Sequence, residues 1–248
     1  MRRCNYHTHT TRCQHAVGGD EEYIQSAIAG GYSTLGFSDH TPWPFKDGYD
    51  SFMRMGLDEV DSYITTIREL AERYKGEIDI FVGLECEYYL GYIDWLVEQR
   101  ERLNLDYMLF GNHFPYEENR ELYFGEVSCS SKLDIYLESS RMALESGIYD
   151  CFAHPDIFMR SLTQVDDFTL EVFKELIEVC LKKGVVMEFN TSIPYHQELW
   201  QEVAKSGVDV IIGIDAHDHK ILRNKDIYSK AIERLTSLGI TPLERLTR

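Results

Sequence analysis

Two rhythms of apolar and polar residues alternate along this chain. Short, mostly apolar runs recur at roughly even spacing: Arg3–Tyr6, Thr34–Ser38, Ile78–Leu84, Asp106–Asn112, Ile148–Ala153, Val185–Phe189 and Val208–Ile214. Their length and β-branched or aromatic content predict strands. Between them lie longer amphipathic stretches that predict helices: Asp20–Gly31, Leu57–Tyr74, Tyr92–Arg102, Ser130–Ser146, Asp167–Lys183, Gln197–Ser206 and Lys225–Leu238. Acidic residues open the first two, suited to the helix dipole, and Gly31, Gly147, Gly184 and Gly207 mark helix ends. Seven strand–helix units in strict alternation imply parallel strands with right-handed crossovers. Nothing resembles a linker or a domain break, so residues 1–248 read as one domain. Two long segments, 41–56 and 114–129, interrupt the alternation; loops of that length beside a site often form lids or substrate walls.

Seven such units can close into a barrel or lie in an open doubly wound sheet, and the residues at the strand ends decide between them. His7-Thr8-His9 follows the first strand, with His15 beyond a polar turn. Side chains two apart on a strand share a face, so His7 and His9 can grip one divalent ion. The second strand ends in Asp39-His40, the third in Glu85, the fourth in His113, the fifth in His154, the sixth in Asn190 and the seventh in Asp215-Ala216-His217. Any one of these histidines could be hydrogen-bonded to backbone for purely structural reasons. That reading does not explain why seven of the nine in the chain share one phase against the strands. Ends that all carry ligand-type residues can converge only in a ring, as at the active face of barrel enzymes. The expected fold is therefore an α/β, distorted (β/α)7 TIM-like barrel.

The formal charge of −17 argues against a nucleic-acid partner, whose phosphates demand cationic neutralisation. Part of the acidic excess suits a site holding several divalent cations. No apolar run approaches the ~20 residues needed to span a bilayer. No signal peptide precedes the first strand, so the cytoplasm is the expected location. The six cysteines show no paired spacing, read as reduced core or near-core residues, and none is a candidate ligand. Imidazole with carboxylate suits zinc, iron or manganese.

The motifs His-Thr-His with His15, Ser-Asp-His (38–40), Gly-Leu-Glu (83–85), Asn-His (112–113), Ala-His-Pro-Asp (153–156) and Asp-Ala-His (215–217) resemble the PHP superfamily of polymerase and histidinol phosphatases, and within it the histidinol-phosphatase group. The resemblance spans the chain and implies a barrel of seven βα units. It also implies three divalent metal ions: one held by His7, His9, Glu85 and Asp215, one by Glu85, His113 and His154, and one by His15, His40 and His217. The activity implied is hydrolysis of a small phosphate ester, with L-histidinol phosphate as the expected substrate, by a metal-bridging hydroxide attacking phosphorus in line. Two departures concern the organic half of the substrate: Phe-Gly-Asn precedes His113, and Ile214 precedes Asp215, where the group usually carries serine.

Around the ligands, Asp39 reads as an orienter of a metal-bound imidazole rather than an acid. Arg160 is the candidate guanidinium fork for phosphate, ahead of Arg12, Lys46 and Arg54. Asn190 and, at the rim, His219 are candidates for substrate contact, and Glu87 is the alternative to Glu85. A phosphatase for another metabolite, a phosphotyrosine phosphatase, a nuclease and a non-catalytic metal-binding regulatory module are the competing readings; a nuclease calls for a basic track that the sequence lacks. The expected partner is a small phosphorylated molecule, with neither membrane nor nucleic acid, and a homo-oligomer stays open.

Overall fold

A computed structural model of the chain describes residues 2–118 and 122–246. Seven strands, β1 (Arg3–Asn5), β2 (Tyr32–His40), β3 (Asp79–Cys86), β4 (Tyr107–Gly111), β5 (Cys151–Ala153), β6 (Val186–Asn190) and β7 (Val210–Gly213), form one all-parallel sheet in sequence order. Helices α1 (Asp20–Gly30), α2 (Val60–Arg73), α3 (Ile93–Arg102), α4 (Leu133–Ser146), α5 (Asp167–Lys183), α6 (Gln197–Ser206) and α7 (Lys225–Ser237) alternate with them. The ring closes just past the ends of β1 and β7, where Thr8 bridges Ala216 in parallel. There the His9 amide donates to the Ala216 carbonyl at 3.0 Å and the Ala216 amide to the His7 carbonyl at 3.1 Å. The expected seven-unit barrel is thus the fold.

Strand alternation sorts the side chains into two cores. Leu35, Phe37, Val82, Leu84, Met108 and Phe110 face outward and pack with helix residues such as Tyr63, Phe173 and Trp200. The intervening positions fill the barrel: Cys4, Tyr6, Tyr107, Leu109, Cys151, Ala153, Val186 and Ile211. One step higher on the same inward face stand Ser38 and His40, Gly83 and Glu85, Gly111, Glu188 and Asn190, and Gly213. The strand interior therefore changes from apolar at the floor to polar at the rim. Leu243 and Leu246 pack beneath the floor, and the Leu243 amide donates to the Val210 carbonyl at 2.7 Å. Sequence periodicity assigned no role to that tail.

Several boundaries differ from the sequence reading. Asp39 and His40 belong to β2 itself, because the ladder to β3 runs as far as His40 opposite Glu85. β5 is shorter than expected, since the Asp150 carboxylate accepts the Met108 amide at 2.8 Å and an Arg100 nitrogen at 2.9 Å. Residues 57–59 form a turn ahead of α2, where Glu59 caps the Gly56 amide at 2.8 Å. Residues 119–121, inside the expected loop 114–129, lie outside the described residues.

Tyr107 ties the floor together: its buried hydroxyl lies 2.6 Å from the Tyr6 carbonyl and 2.9 Å from the Phe37 carbonyl. Gly36 leaves the space, since a Cβ there would collide with that hydroxyl. Tyr107→Phe should lower unfolding free energy by about 1–3 kcal/mol, because two buried acceptors lose their donor. A urea midpoint unchanged from the parent protein would show that water or a relaxed backbone satisfies them.

Candidate metal centre

His7 and His9 leave β1 with both rings buried at the barrel mouth, their Nε2 atoms 3.1 Å apart. Glu85 Oε2 lies 3.3 Å from His7 Nε2 and 3.5 Å from His9 Nε2. Asp215 Oδ1 completes the group at 3.5 and 3.4 Å from the same two nitrogens. The other Glu85 oxygen, Oε1, faces the opposite way, 2.7 Å from His154 Nε2 and 3.4 Å from His113 Nε2. The carboxylate of β3 thus joins two sets of donors, one on each oxygen. His40, opposite Glu85 in the ladder, brings Nδ1 to 3.1 Å from Oε2.

The remaining donors group less simply than the sequence suggested. His15 stacks on His217 at 4.6 Å between ring centroids, but His40 is 6.4 Å from His217. His9, His40 and His217 bring one nitrogen each within 4.8 Å of one another, and so do Cys13 Sγ, His15 and His217. Cys13 was read as a core residue; it is buried, but against the centre rather than away from it.

Several ligand-type histidines donate their second nitrogen to a fixed acceptor, the usual arrangement around a metal-bound imidazole. His7 Nδ1 lies 2.9 and 3.1 Å from the two Glu188 oxygens, and His113 Nδ1 is 2.8 Å from Glu87 Oε1. His15 Nδ1 reaches the Cys13 carbonyl at 2.6 Å, and His217 Nδ1 the Asp215 carbonyl at 3.1 Å. In each case Nε2 keeps its lone pair for an ion. Sequence reasoning missed Glu188, although a single carboxylate inside Val-Val-Met-Glu-Phe, two residues before Asn190, was a readable sign. Glu188 also accepts the His154 amide at 2.9 Å and the Asn190 amide nitrogen at 2.9 Å.

Glycines make the room. A Cβ at Gly111 would strike the Glu85 carboxylate, and one at Gly213 would strike Glu188. His154 and Asp215 carry φ of 31° and 55°, left-handed backbone that non-glycine residues adopt at a cost and that clusters at functional sites.

The other candidates are placed as follows. Asp39 is fully buried; it accepts the Thr10 amide at 3.1 Å and the His40 amide at 2.9 Å, binds the Thr10 hydroxyl, and stands 3.5 Å from His9 Nδ1. With both oxygens engaged it acts as a brace. Arg160 lies at the mouth, half-exposed, bonded to the Tyr123 hydroxyl and Ser192 hydroxyl at 3.1 Å each and 3.5 Å from Asp215 Oδ2. Asn190 is buried and engaged with Glu188 and Ser192, whose hydroxyl donates to it at 2.6 Å. It braces the rim and is not aimed at the opening. His219 packs under the loop onto α1, with Nδ1 3.0 Å from Ser26 Oγ and its ring against Gly18. Arg12 pairs with Asp20 at 2.9 Å, and Lys46 sits over the Tyr92 ring. Arg54 is wholly buried, 2.6 Å from both Glu87 and Glu118, which removes it from phosphate contact. Glu87 is the partner of Arg54 and His113, not the replacement for Glu85.

The donor set fits divalent cations. Glu85 Oε2, His9 Nδ1, His40 Nδ1 and His154 Nδ1 are buried without a hydrogen-bond partner. Glu85 Oε2 bonds to none of the three ring nitrogens that surround it, His7 Nε2, His9 Nε2 and His40 Nδ1, an arrangement for a shared ion, since buried polar atoms are otherwise paired. The charges agree. Burial opposes charge on His7 and His9, yet the carboxylates Glu188, Glu85, Asp215 and Asp39 pull both imidazoles well above their ordinary pKa. Burial would raise Glu85 and Asp215, but the surrounding imidazoles hold both far below the usual carboxylate range. The pocket therefore attracts positive charge. Burial and neighbouring His9 push His40 and His217 down to about 3, leaving them neutral and able to ligate.

A family model described as PHP domain matches residues 5–192. The chain belongs to the PHP-domain family. Among PHP relatives it is 31% identical to a protein named probable histidinol-phosphatase from Schizosaccharomyces pombe, over 96% of this chain and 87% of that one. It is 24% identical to the histidinol-phosphatase of Bacillus subtilis, over 88% and 94% of the two chains. A crystal structure of histidinol phosphate phosphatase from Lactococcus lactis, complexed with zinc, L-histidinol and phosphate, superposes with a TM-score of 0.81. It shares 19% identity, covering 100% of this chain and 99% of that one, which establishes the shared PHP fold.

The close packing of Gly111 against Glu85 gives a test. Gly111→Ala should displace the carboxylate and reduce metal affinity by roughly 10–100-fold, the range seen when the supports of a ligand are disturbed. Inductively coupled plasma analysis with circular dichroism reads both content and fold; a folded variant with its full complement of ions would mean the carboxylate is not a ligand.

Proposed function

We propose that this PHP protein is a metal-dependent phosphomonoesterase whose substrate is L-histidinol phosphate, releasing L-histidinol and phosphate in histidine biosynthesis. The observation that carries the reading is Glu85 at the centre of the barrel mouth, each of its oxygens turned to a separate set of imidazoles, with a guanidinium at the opening. Divalent ions of zinc, iron or manganese, three on this reading, supply Lewis acidity to water and to the phosphoryl oxygens when bound. His7, His9, Glu85 and Asp215 would hold one, Glu85, His113 and His154 another, and His15, His40 and His217 the third.

The chain's own residues do the rest. Arg160 offers a fork to the phosphate, its direction set by the Tyr123 and Ser192 hydroxyls. Asp39 keeps His9 and the His40 backbone in place, and Glu188 holds the proton on His7 Nδ1 so that Nε2 stays available. No serine or cysteine nucleophile is called for, since the bound ions would supply the nucleophile from water. A charge of −17 suits an organic half carrying an amine and an imidazole, and it does not suit a nucleic acid. Among the described residues no helix is long and apolar enough to cross a membrane. The six cysteines are free, which is consistent with the reducing cytoplasm where an amino-acid biosynthetic enzyme works.

Phosphate release should be measured across a panel of metabolite phosphoesters after loading with zinc, manganese or iron. Strong selectivity for histidinol phosphate is the expected result. Similar rates on many esters, or none with any metal, would overturn the reading. Within the same assay Arg160→Ala should raise KM more than it lowers kcat, costing about 1.5–3 kcal/mol in kcat/KM for the lost charge-assisted contact. Parent-like constants in that variant would take Arg160 out of the phosphate site.

A further inference from the structure

Arg54 sits where three ligand-bearing segments meet. Its side chain is 1% exposed and points three donors in three directions: Nε to Glu118 Oε2 at 2.6 Å, Nη1 to the Thr41 carbonyl at 3.2 Å and Nη2 to Glu87 Oε1 at 2.6 Å. Thr41 directly follows His40. Glu87 Oε1 is the same oxygen that takes His113 Nδ1 at 2.8 Å, and the Trp43 indole holds the other Glu87 oxygen at 2.9 Å. The Arg54 backbone carbonyl accepts Gln14 Nε2 at 2.8 Å, and the Ser51 carbonyl accepts from the same nitrogen at 2.9 Å. Gln14 precedes His15 and carries the left-handed φ of 67° that reverses the chain ahead of that ring. One residue thus reaches the neighbours of His15 and His40 and the support of His113.

We propose that Arg54 is a positioning residue for the metal centre: it holds the segments carrying His15, His40 and His113 in register, so that the ion on His113 and the ion on His15 and His40 depend on it together. The inference rests on the three-ion reading above and gives Arg54 no contact with substrate. Filling space does not call for a guanidinium here. A buried ion pair is often no more stable than apolar side chains of the same volume. What an aliphatic side chain lacks is direction, and the planar fork of arginine fixes where each donor points. Glu87 passes that direction on, because one of its oxygens is shared between the guanidinium and the His113 ring while the other is held by Trp43. Glu118 supplies the opposite anchor, and it also receives the Tyr49 hydroxyl at 3.1 Å and the Ser51 hydroxyl at 2.7 Å. The loop is thereby fixed on both sides of the arginine. His7, His9 and Asp215, by contrast, lie on segments that none of these bonds touches, so the ion they share with Glu85 is set mainly by the closure of the barrel.

Zinc titration of the full-length protein against a competing chromophoric chelator reads the affinity of each ion, and circular dichroism reads the fold. In Arg54→Ala the ions that depend on His113 and on His15 with His40 should bind roughly 10–100-fold more weakly, the range for lost supports of ligands, while the ion on His7, His9 and Asp215 keeps its parent affinity. Added guanidinium should restore the two weakened ions by occupying the vacated space. A merely structural arginine predicts something else: a lower melting temperature with stepwise zinc affinities like the parent's. That result in a folded Arg54→Ala, equal weakening of all three ions, or a loss that guanidinium does not repair would overturn the proposal and leave the phosphatase reading standing. Should Arg54→Ala fail to fold, Gln14→Asn decides. Gln14 is exposed, asparagine tolerates left-handed backbone, and its amide is one carbon short of the Arg54 carbonyl. One ion should weaken in that variant, and unchanged affinities would overturn the proposal. A parent chain that takes up no zinc would sink the metal-dependent reading and the proposal with it.

Discussion

A carboxylate sealed inside a protein must find positive charge or give up its own, and the barrel mouth is arranged around that requirement at Glu85. Its side chain is 1% exposed, and four histidine rings stand within 3.5 Å of one or other of its oxygens, with a fifth at that limit. Burying one charge without partners costs several kcal/mol, so such a cluster persists only if cations or protons neutralise it. The parallel barrel is the device that brings the partners: β3 supplies the carboxylate, and β1, β2, β4 and β5 or the segments just after them supply the rings. The bridge of Thr8 to Ala216 then brings Asp215 and His217 round to His9. An open sheet would separate β1 from β7 by its whole width and take Asp215 away from His7.

The fold was legible because two periodicities, one of two residues and one near 3.6, alternate through seven units, with only segments 41–56 and 114–129 outside the pattern. The same strand parity that predicted the barrel also predicts which residues line it. That is why His40, Glu85 and Asp215 could be named from position alone. Boundaries were less readable because they depend on partners: Asp39 and His40 extend β2 only because β3 lies alongside, and Asp150 shortens β5 by taking the Met108 amide. The supports of the centre were mostly invisible for the same reason. Glu188 serves His7 across 181 positions of sequence, and Tyr123 braces Arg160 from a loop with no pattern of its own. Asn190 stands at the end of β6 as expected, but the local turn occupies it, and His219, a candidate at the rim, is covered by α1.

Arg54 shows how the long loops are bound to this centre. It is buried between Glu87 and Glu118, and its Nη1 donates to the Thr41 carbonyl, next to His40, at 3.2 Å. Glu87 in turn holds His113 Nδ1 and the Trp43 indole, and Glu118 receives Tyr49 and Ser51. One guanidinium therefore fastens segment 41–56 to segment 114–118 and, through Glu87, to the His113 ring beside Glu85. A buried arginine against two carboxylates leaves one negative charge in excess, and the proton donated by His113 is the group placed to meet it. An imidazole that ligates a cation through Nε2 is a stronger donor at Nδ1. The arrangement thus couples the order of the loops to the charge on the far side of His113.

That coupling bears on a difficulty the composition poses. A phosphate ester carries negative charge, and this protein is acidic overall with carboxylates concentrated at the mouth. Arg160 alone cannot reverse that field, since it already stands 3.5 Å from Asp215 and is half open to solvent. Bound cations invert the sign of the local potential, because ions of charge two outweigh the carboxylates that hold them. Glu85 and Asp215, a barrier to an anion on their own, then become the seat of positive charge facing the phosphoryl group, and Arg160 adds to that charge at the opening.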